Sequence, residues 1–131
     1  GGARVILDST ANETTTGIIF KEAGAQEASI VYDHSDDTLD FRGGGSDTTR
    51  VTIDGSGNVL PGADNSYNLG AADKRWANIF SADLQLSNEG TEGNEVDGTT
   101  GSWTIQEGED DLYLLNRKNG KKYKFKLEEI T

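Results

Sequence analysis

The one histidine of the chain, His34, sits in Tyr32-Asp33-His34-Ser35-Asp36-Asp37, which gathers serine, histidine and aspartate, the residue types of a nucleophilic triad. Such triads converge in space from separate elements, so that a base takes the nucleophile's proton while a carboxylate orients the base. Here the three types are contiguous, and the stretch reads as a hairpin loop rich in turn formers. Asp54-Gly55-Ser56-Gly57-Asn58 puts oxygen-bearing side chains at alternate positions, as a calcium loop does, but residue 65, where the bidentate carboxylate would stand, is Asn. It reads as a tight turn between Ile53 and Val59. Glu107, Glu109, Asp110 and Asp111 could draw a cation weakly and read as an exposed turn. Carboxylates are abundant enough for a glycoside-cleaving pair, yet no spacing singles out two of them. No phosphate-cradling loop or dinucleotide fingerprint occurs. With no Cys and a single His, no zinc site can be assembled. The expectation is a chain with no catalytic residues, no metal and no cofactor.

Two tryptophans remain. An exposed Trp can stack on a saccharide, but Trp76 and Trp103 each sit in an apolar pattern, which predicts a core or a subunit interface.

The elements that position these residues are short strands. Val5-Ile6-Leu7 and Gly17-Ile18-Ile19-Phe20 are apolar runs separated by the polar stretch Ser9 to Thr16, and a small-residue link follows at Gly24-Ala25. Ala28, Ile30 and Tyr32 alternate with Ser29, Val31 and Asp33, Leu39 and Phe41 with Asp40 and Arg42, and Val51 and Ile53 with Thr52 and Asp54. Period-two alternation punctuated by Gly, Asp and Ser about every ten residues predicts an antiparallel meander. Pro61-Gly62-Ala63-Asp64-Asn65 marks a break. Ala72, Trp76, Ile79 and Phe80 then fall at i, i+4, i+7 and i+8, which predicts one short helical turn near 71–80. Leu84 and Leu86 restart a strand, and residues 87–102 form a polar, acidic loop with Val96 as its only large apolar residue.

The last third predicts a three-stranded meander. Trp103 and Ile105 start it, Leu112 to Arg117 follow, and Lys121 to Ile130 return after Asn119-Gly120, a pair suited to a two-residue turn. Such a turn pairs Lys118 with Lys121 and sets Leu112, Leu114 and Asn116 opposite Leu127, Phe125 and Tyr123. Trp103, Ile105, Leu112, Leu114, Tyr123, Phe125 and Leu127 are the expected core, and Lys122, Lys124 and Lys126 share the other face with Tyr113 and Leu115. The organisation expected is a β-rich segment over 1–60, a Trp-containing connector over 61–86 and a C-terminal β-domain over 87–131.

Composition bounds what this fold can be. Leu, Ile, Val and Phe number 27 of 131 residues, just above the level at which a highly charged chain stays disordered. Gly, Ser, Thr and Asn number 48, and there is no Met, as expected of a segment cut from a longer chain with Gly1-Gly2 as a cloning remnant. No apolar run is long enough to span a membrane as a helix. The net charge of −11 argues against nucleic acid as a partner. The charge is uneven: −6 over residues 1–75, −9 over 76–116 and +4 over 117–131. The basic end is expected to be a solvated face with compensating cross-strand pairs, with docking on an acidic segment of a neighbouring chain as the sharper alternative. So few large apolar side chains make a thin core, which predicts association with identical chains.

Three runs carry a family resemblance. Arg50-Val51-Thr52-Ile53-Asp54-Gly55-Ser56-Gly57-Asn58-Val59 resembles a segment that recurs in trimeric bacteriophage tail fibres. Asn68-Leu69-Gly70 followed by Arg75-Trp76-Ala77-Asn78-Ile79-Phe80 resembles a second module of the same proteins. Gly101 to Tyr113, continued by Gly120-Lys121-Lys122-Tyr123-Lys124-Phe125, resembles the C-terminal ending of fibre-like structural proteins of marine tailed phages. Nothing here resembles the self-cleaving chaperone peptidase that follows the second module in some fibres.

The resemblance implies a non-enzymatic virion part: a mainly β, elongated and intertwined homotrimer that acts outside the cell. In it Leu69, Trp76, Ile79 and Phe80 would lie at the trimer interface, and loops would be presented to a glycan or protein on the host surface. No receptor-binding residue is indicated. The alternative is a carbohydrate-binding or calcium-dependent adhesive module of a bacterial surface protein. A glycan-degrading tailspike ranks below both, because 131 residues is short for its long solenoid.

Overall fold

The structure, a computed structural model, describes residues 3–9 and 13–130. Gly1-Gly2, and Thr10 to Asn12 of the expected turn-rich stretch, lie outside the described residues. The chain divides into two compact units, residues 1–75 and 76–131. All regular elements are antiparallel strands, with no helix among the described residues. The expected mainly β class is therefore correct, and the helical turn is not.

The first unit is a five-stranded meander of β1 (Thr15–Glu22), β2 (Ala25–Asp33), β3 (Thr38–Gly43), β4 (Thr48–Ile53) and β5 (Val59–Pro61), paired in chain order. The alternation in the sequence sets its faces. Ile18, Ile30, Phe41, Val51 and Pro61 form one row across the sheet, and Thr16, Tyr32, Leu39, Ile53 and Val59 the next. The opposite face carries Gly17, Val31, Asp40 and Thr52 in register. Gly17 must be glycine: a Cβ there would collide with the Ile30 carbonyl and stand 2.9 Å from Val31 Cα. Pro61, which has no N–H for a ladder, is tolerated because β5 is an edge strand.

The second unit is a four-stranded sheet of β6 (Asp83–Ser87), β7 (Ser102–Glu107), β8 (Leu112–Asn116) and β9 (Lys122–Lys124), again in chain order. The expected three-stranded meander gains β6, which pairs Leu84 with Ile105 and Leu86 with Trp103. The region read as a connector over 61–86 is thus shared between the units: Pro61 ends β5, and Asp83 opens β6.

Three local expectations are corrected. Val5-Ile6-Leu7 is not a strand, and Val5 is 88% exposed, because no neighbouring strand pairs with it among the described residues. At 71–80, Ala71 and Lys74 exchange both backbone hydrogen bonds at 3.0 Å in a tight turn. That turn uses the groups a first helical turn would need, and Trp76, Ile79 and Phe80 stay mostly exposed, without the packing a short helix requires. The Asn119-Gly120 hairpin has a four-residue loop rather than two. Gly120 N–H reaches Asn116 O at 2.9 Å, Asn116 Oδ1 accepts from the N–H groups of Lys118 and Asn119, and only Gly120 of the pair has positive φ. Asn116 therefore faces Lys121, Leu114 faces Tyr123, and Phe125 N–H donates to Leu112 O. The final strand stops at Lys124, and Leu127 lies beyond the ladder.

Burial is inverted relative to polarity. Val31, 7% exposed, is the one fully buried apolar residue among those described, whereas Ser29, Asp40 and Thr104 are buried and polar. Each is held in hydrogen bonds with neighbouring side chains. On the first sheet Arg42 hydrogen-bonds Asp40, whose other oxygen accepts from Thr52 at 2.8 Å, while Asp47 accepts from Ser29 and Gln26. On the second, Arg117 Nε donates to Thr104 Oγ1 at 2.7 Å, and that hydroxyl donates to Gln85 at 2.6 Å. No buried side-chain polar atom among the described residues lacks a partner.

Candidate functional site

The serine, histidine and aspartate of the 32–37 loop do not converge. Ser35 Oγ donates to Asp33, whereas the His34 ring meets Thr16 Oγ1 at 2.9 Å and packs edge-on to Tyr32. The Asp54 loop is a closed turn. Asp54 Oδ1 accepts from the N–H groups of Ser56 and Asn58, Oδ2 from the Asn58 amide, and Ile53 pairs with Val59 as the turn reading requires. Those bonds, led by the Asn58 side chain, hold the Asp54 carboxyl below its ordinary range. In the 107–111 turn, Asp111 is taken up by Lys124 at 2.8 Å, one of the compensating pairs expected of the basic end. Among the described residues no three acidic or histidine side chains gather as a metal site would need.

What the fold does assemble is apolar surface. In the first unit, Ile18, Phe20, Tyr32, Phe41 and Val51 share one face and remain a third to a half exposed. In the second, Leu84, Ile105, Leu114 and Tyr123 form a row, Leu86 and Trp103 stand beside it, and Leu112 and Phe125 lie on its other side. Trp103 and Tyr123 pack at 5.8 Å between ring centroids. The expected C-terminal core residues, Leu127 excepted, are thus brought to one face. Yet Leu84, Leu86, Leu112, Tyr123 and Phe125 stay between a third and a half exposed, so that face is a half-covered layer and not a closed core. The interface candidates stand out further: Leu69, Ile79 and Trp76 are mostly exposed, Trp76 at 63%, and Phe80 is 96% exposed.

The second unit also holds a groove of about 710 Å³. Its floor is Leu86, Trp103 and Asn116, aligned across β6, β7 and β8. Its wall is the loop 88–101. The acidic composition of that loop predicts slack turns, but it is stapled throughout. Asn94 Nδ2 donates to Asp97 and to Thr99 O, and Asp97 Oδ1 accepts from both N–H and hydroxyl of Thr99. Asn88 ties its two ends by accepting from Gly101 N–H at 2.6 Å, and Lys118 reaches across to Thr100. The Thr99 bonds keep the Asp97 carboxyl below its ordinary range, so it is ionised at neutral pH.

Sequence reasoning missed this groove and the two arginine-covered polar faces. The Asn94-x-x-Asp97-x-Thr99 spacing, with side chains that bond nearby backbone, is a local signal for the stapled loop. Nothing in the sequence marks Thr104 or Asp40 as buried. No family model matches the chain, and no curated protein or solved structure matches it.

Proposed function

We propose that this chain is a structural segment of a trimeric bacteriophage tail fibre, a non-enzymatic virion part that carries attachment loops to a glycan or protein on the host surface. The observation that carries the reading is the inverted burial. Both sheets seal a polar face with an arginine and leave the apolar face a third to a half open. A chain whose largest side chains lack cover within itself gains most by packing them against copies of itself, since burying each large apolar side chain is worth about 1.5–3 kcal/mol. Three chains around an axis supply that cover symmetrically, and three copies of a weak attachment site give avidity. Trp76, Ile79 and Phe80, which the module resemblance assigns to the axis, are among the most exposed large side chains.

Native mass spectrometry and multi-angle light scattering test this. A species of three chains, stable at micromolar concentration, is expected. A stable monomer would overturn the trimer and with it the fibre reading.

A further inference from the structure

We propose that the groove between the 88–101 loop and the Leu86–Trp103–Asn116 row binds a neutral saccharide. This names the ligand class for the attachment role above and rests on that reading for its purpose, with the trimer contact made by the first unit's apolar face and by Trp76, Ile79 and Phe80 and with Leu86 and Trp103 left open; every residue the groove uses belongs to one chain's second unit.

Three features of the groove select the ligand. Its floor sets Leu86 and Trp103 side by side across β6 and β7, a leucine and an indole of the kind the C–H face of a pyranose ring packs on. The lining residues also carry polar atoms that the loop and hairpin do not use. Asp97 spends Oδ1 on the loop and Asn116 spends Oδ1 on the hairpin. Asp97 Oδ2, Asn116 Nδ2 and Trp103 Nε1 have no hydrogen-bond partner among the described residues. A carboxylate oxygen to accept from hydroxyls, with an amide and an indole N–H to donate to them, is the set a polyol needs. Finally, the wall is held by its own hydrogen bonds, so little ordering is required when a ligand enters.

Other ligand classes fit less well. The one cation at the rim, Lys118, is committed to Thr100 and stands 3.9 Å from Glu89, and residues 76–116 carry only acidic charge, so an anionic ligand is repelled. A purely apolar molecule would leave the polar groups of Asp97 and Asn116 in the lining without partners.

The test is a nuclear magnetic resonance titration of the ¹⁵N-labelled full chain. The neutral probes are methyl α-mannoside, methyl β-glucoside, methyl β-galactoside and N-acetylglucosamine, with N-acetylneuraminic acid as the anionic counterpart. At least one neutral sugar is expected to shift the Trp103 indole N–H and the Asn116 side-chain amide saturably, with millimolar affinity, and the anionic sugar to bind more weakly. Asp97→Asn keeps the loop's Oδ1 acceptor and replaces Oδ2 with a donor. It is expected to weaken binding about tenfold with an unchanged backbone spectrum.

Four neutral sugars without effect, shifts mapping outside the groove, an unchanged affinity in Asp97→Asn, or preference for the anionic sugar would each overturn the proposal. Light scattering on the same samples separates the two readings. A monomer that binds sugar retains the groove and loses the fibre, whereas a trimer that binds none loses the groove alone.

Discussion

Arg42 Nη2 lies 2.7 Å from Asp40 Oδ2 on the polar face of the first sheet, and the same guanidinium comes within 3.4 Å of Asp47 and 3.8 Å of Asp33. One cation on β3 thus faces three carboxylates, from β2, from β3 itself and from the turn before β4.

A pH dependence follows from this cluster. Burial works against ionisation of Asp40, but the hydrogen bonds from Arg42, Thr52 and Thr49 prevail and set its carboxyl below the ordinary range. Asp47, through Ser29 above all, and Asp33, through Ser35, are also lowered. A group whose folded pKa is depressed stabilises the fold above its unfolded value and loses that contribution as pH falls through the folded value. The melting temperature of the first unit should therefore be level from neutral pH down to about 5 and fall below about 4. Circular dichroism melts across that range check it, and equal melting temperatures at pH 3 and 7 would contradict it. Arg42→Met, which leaves Asp40 without its cation, should cost about 2 kcal/mol at neutral pH, allowing for the solvent that reaches the pair.

In the second unit Thr104 is wholly buried under Arg117, with its hydroxyl between Arg117 Nε and Gln85 Oε1. Thr104→Val keeps the shape and removes the hydroxyl, so both partners lose a hydrogen bond in a site closed to water. A loss of about 1–3 kcal/mol is expected, measured by urea denaturation. A neutral result would mean that both partners re-pair elsewhere.

Trp76 distinguishes packing within the chain from packing between chains. Because it is 63% exposed in a single chain, Trp76→Ala should change the stability of an isolated monomer by no more than about 0.5 kcal/mol. In a trimer that buries it, the loss should reach about 3–5 kcal/mol per site, and melting should depend on protein concentration. An unchanged melting temperature at high concentration would count against Trp76 at an interface.

Gly17→Ala places a methyl group against the Ile30 carbonyl and within 3.0 Å of the Val31 side chain. The first unit should lose about 1–3 kcal/mol from this overpacking. Differential scanning calorimetry would register it, and an unaltered transition would show that β1 can shift off β2 without cost.

Much of the architecture is legible in the sequence. Alternation at Ala28–Tyr32, Leu39–Phe41 and Val51–Ile53 fixes strands and faces, because side chains alternate across a pleated backbone regardless of partner. The C-terminal hairpin shows how far this reaches. The expected register pairs Leu114 with Phe125, and the structure pairs it with Tyr123. The slip is two residues, so the apolar set stays on its face, whereas a slip of one would have reversed it. The length of the turn, and hence the register, depends on Asn116 capping its own loop, one competing hydrogen-bond pattern among several open to that sequence.

Tertiary structure alone decided three things. The periodic residues 72–80 form no helix, because periodicity states only which face would be buried, and Trp76, Ile79 and Phe80 on that face stay mostly exposed. Thr104 is buried because Arg117, on the far side of a hairpin, bonds its hydroxyl, and Ser29 and Asp40 because Asp47, Thr52 and Arg42 converge on their face, a placement set by strand register and not by residue type. The groove beside Trp103 exists because a loop closed on its own side chains stands over a row that three strands align. By itself the sequence determined the antiparallel meanders, their faces and most of their turns, since each is a property of neighbouring residues. Burial and convergence are properties of residues far apart in the chain, and only the folded sheets decided those.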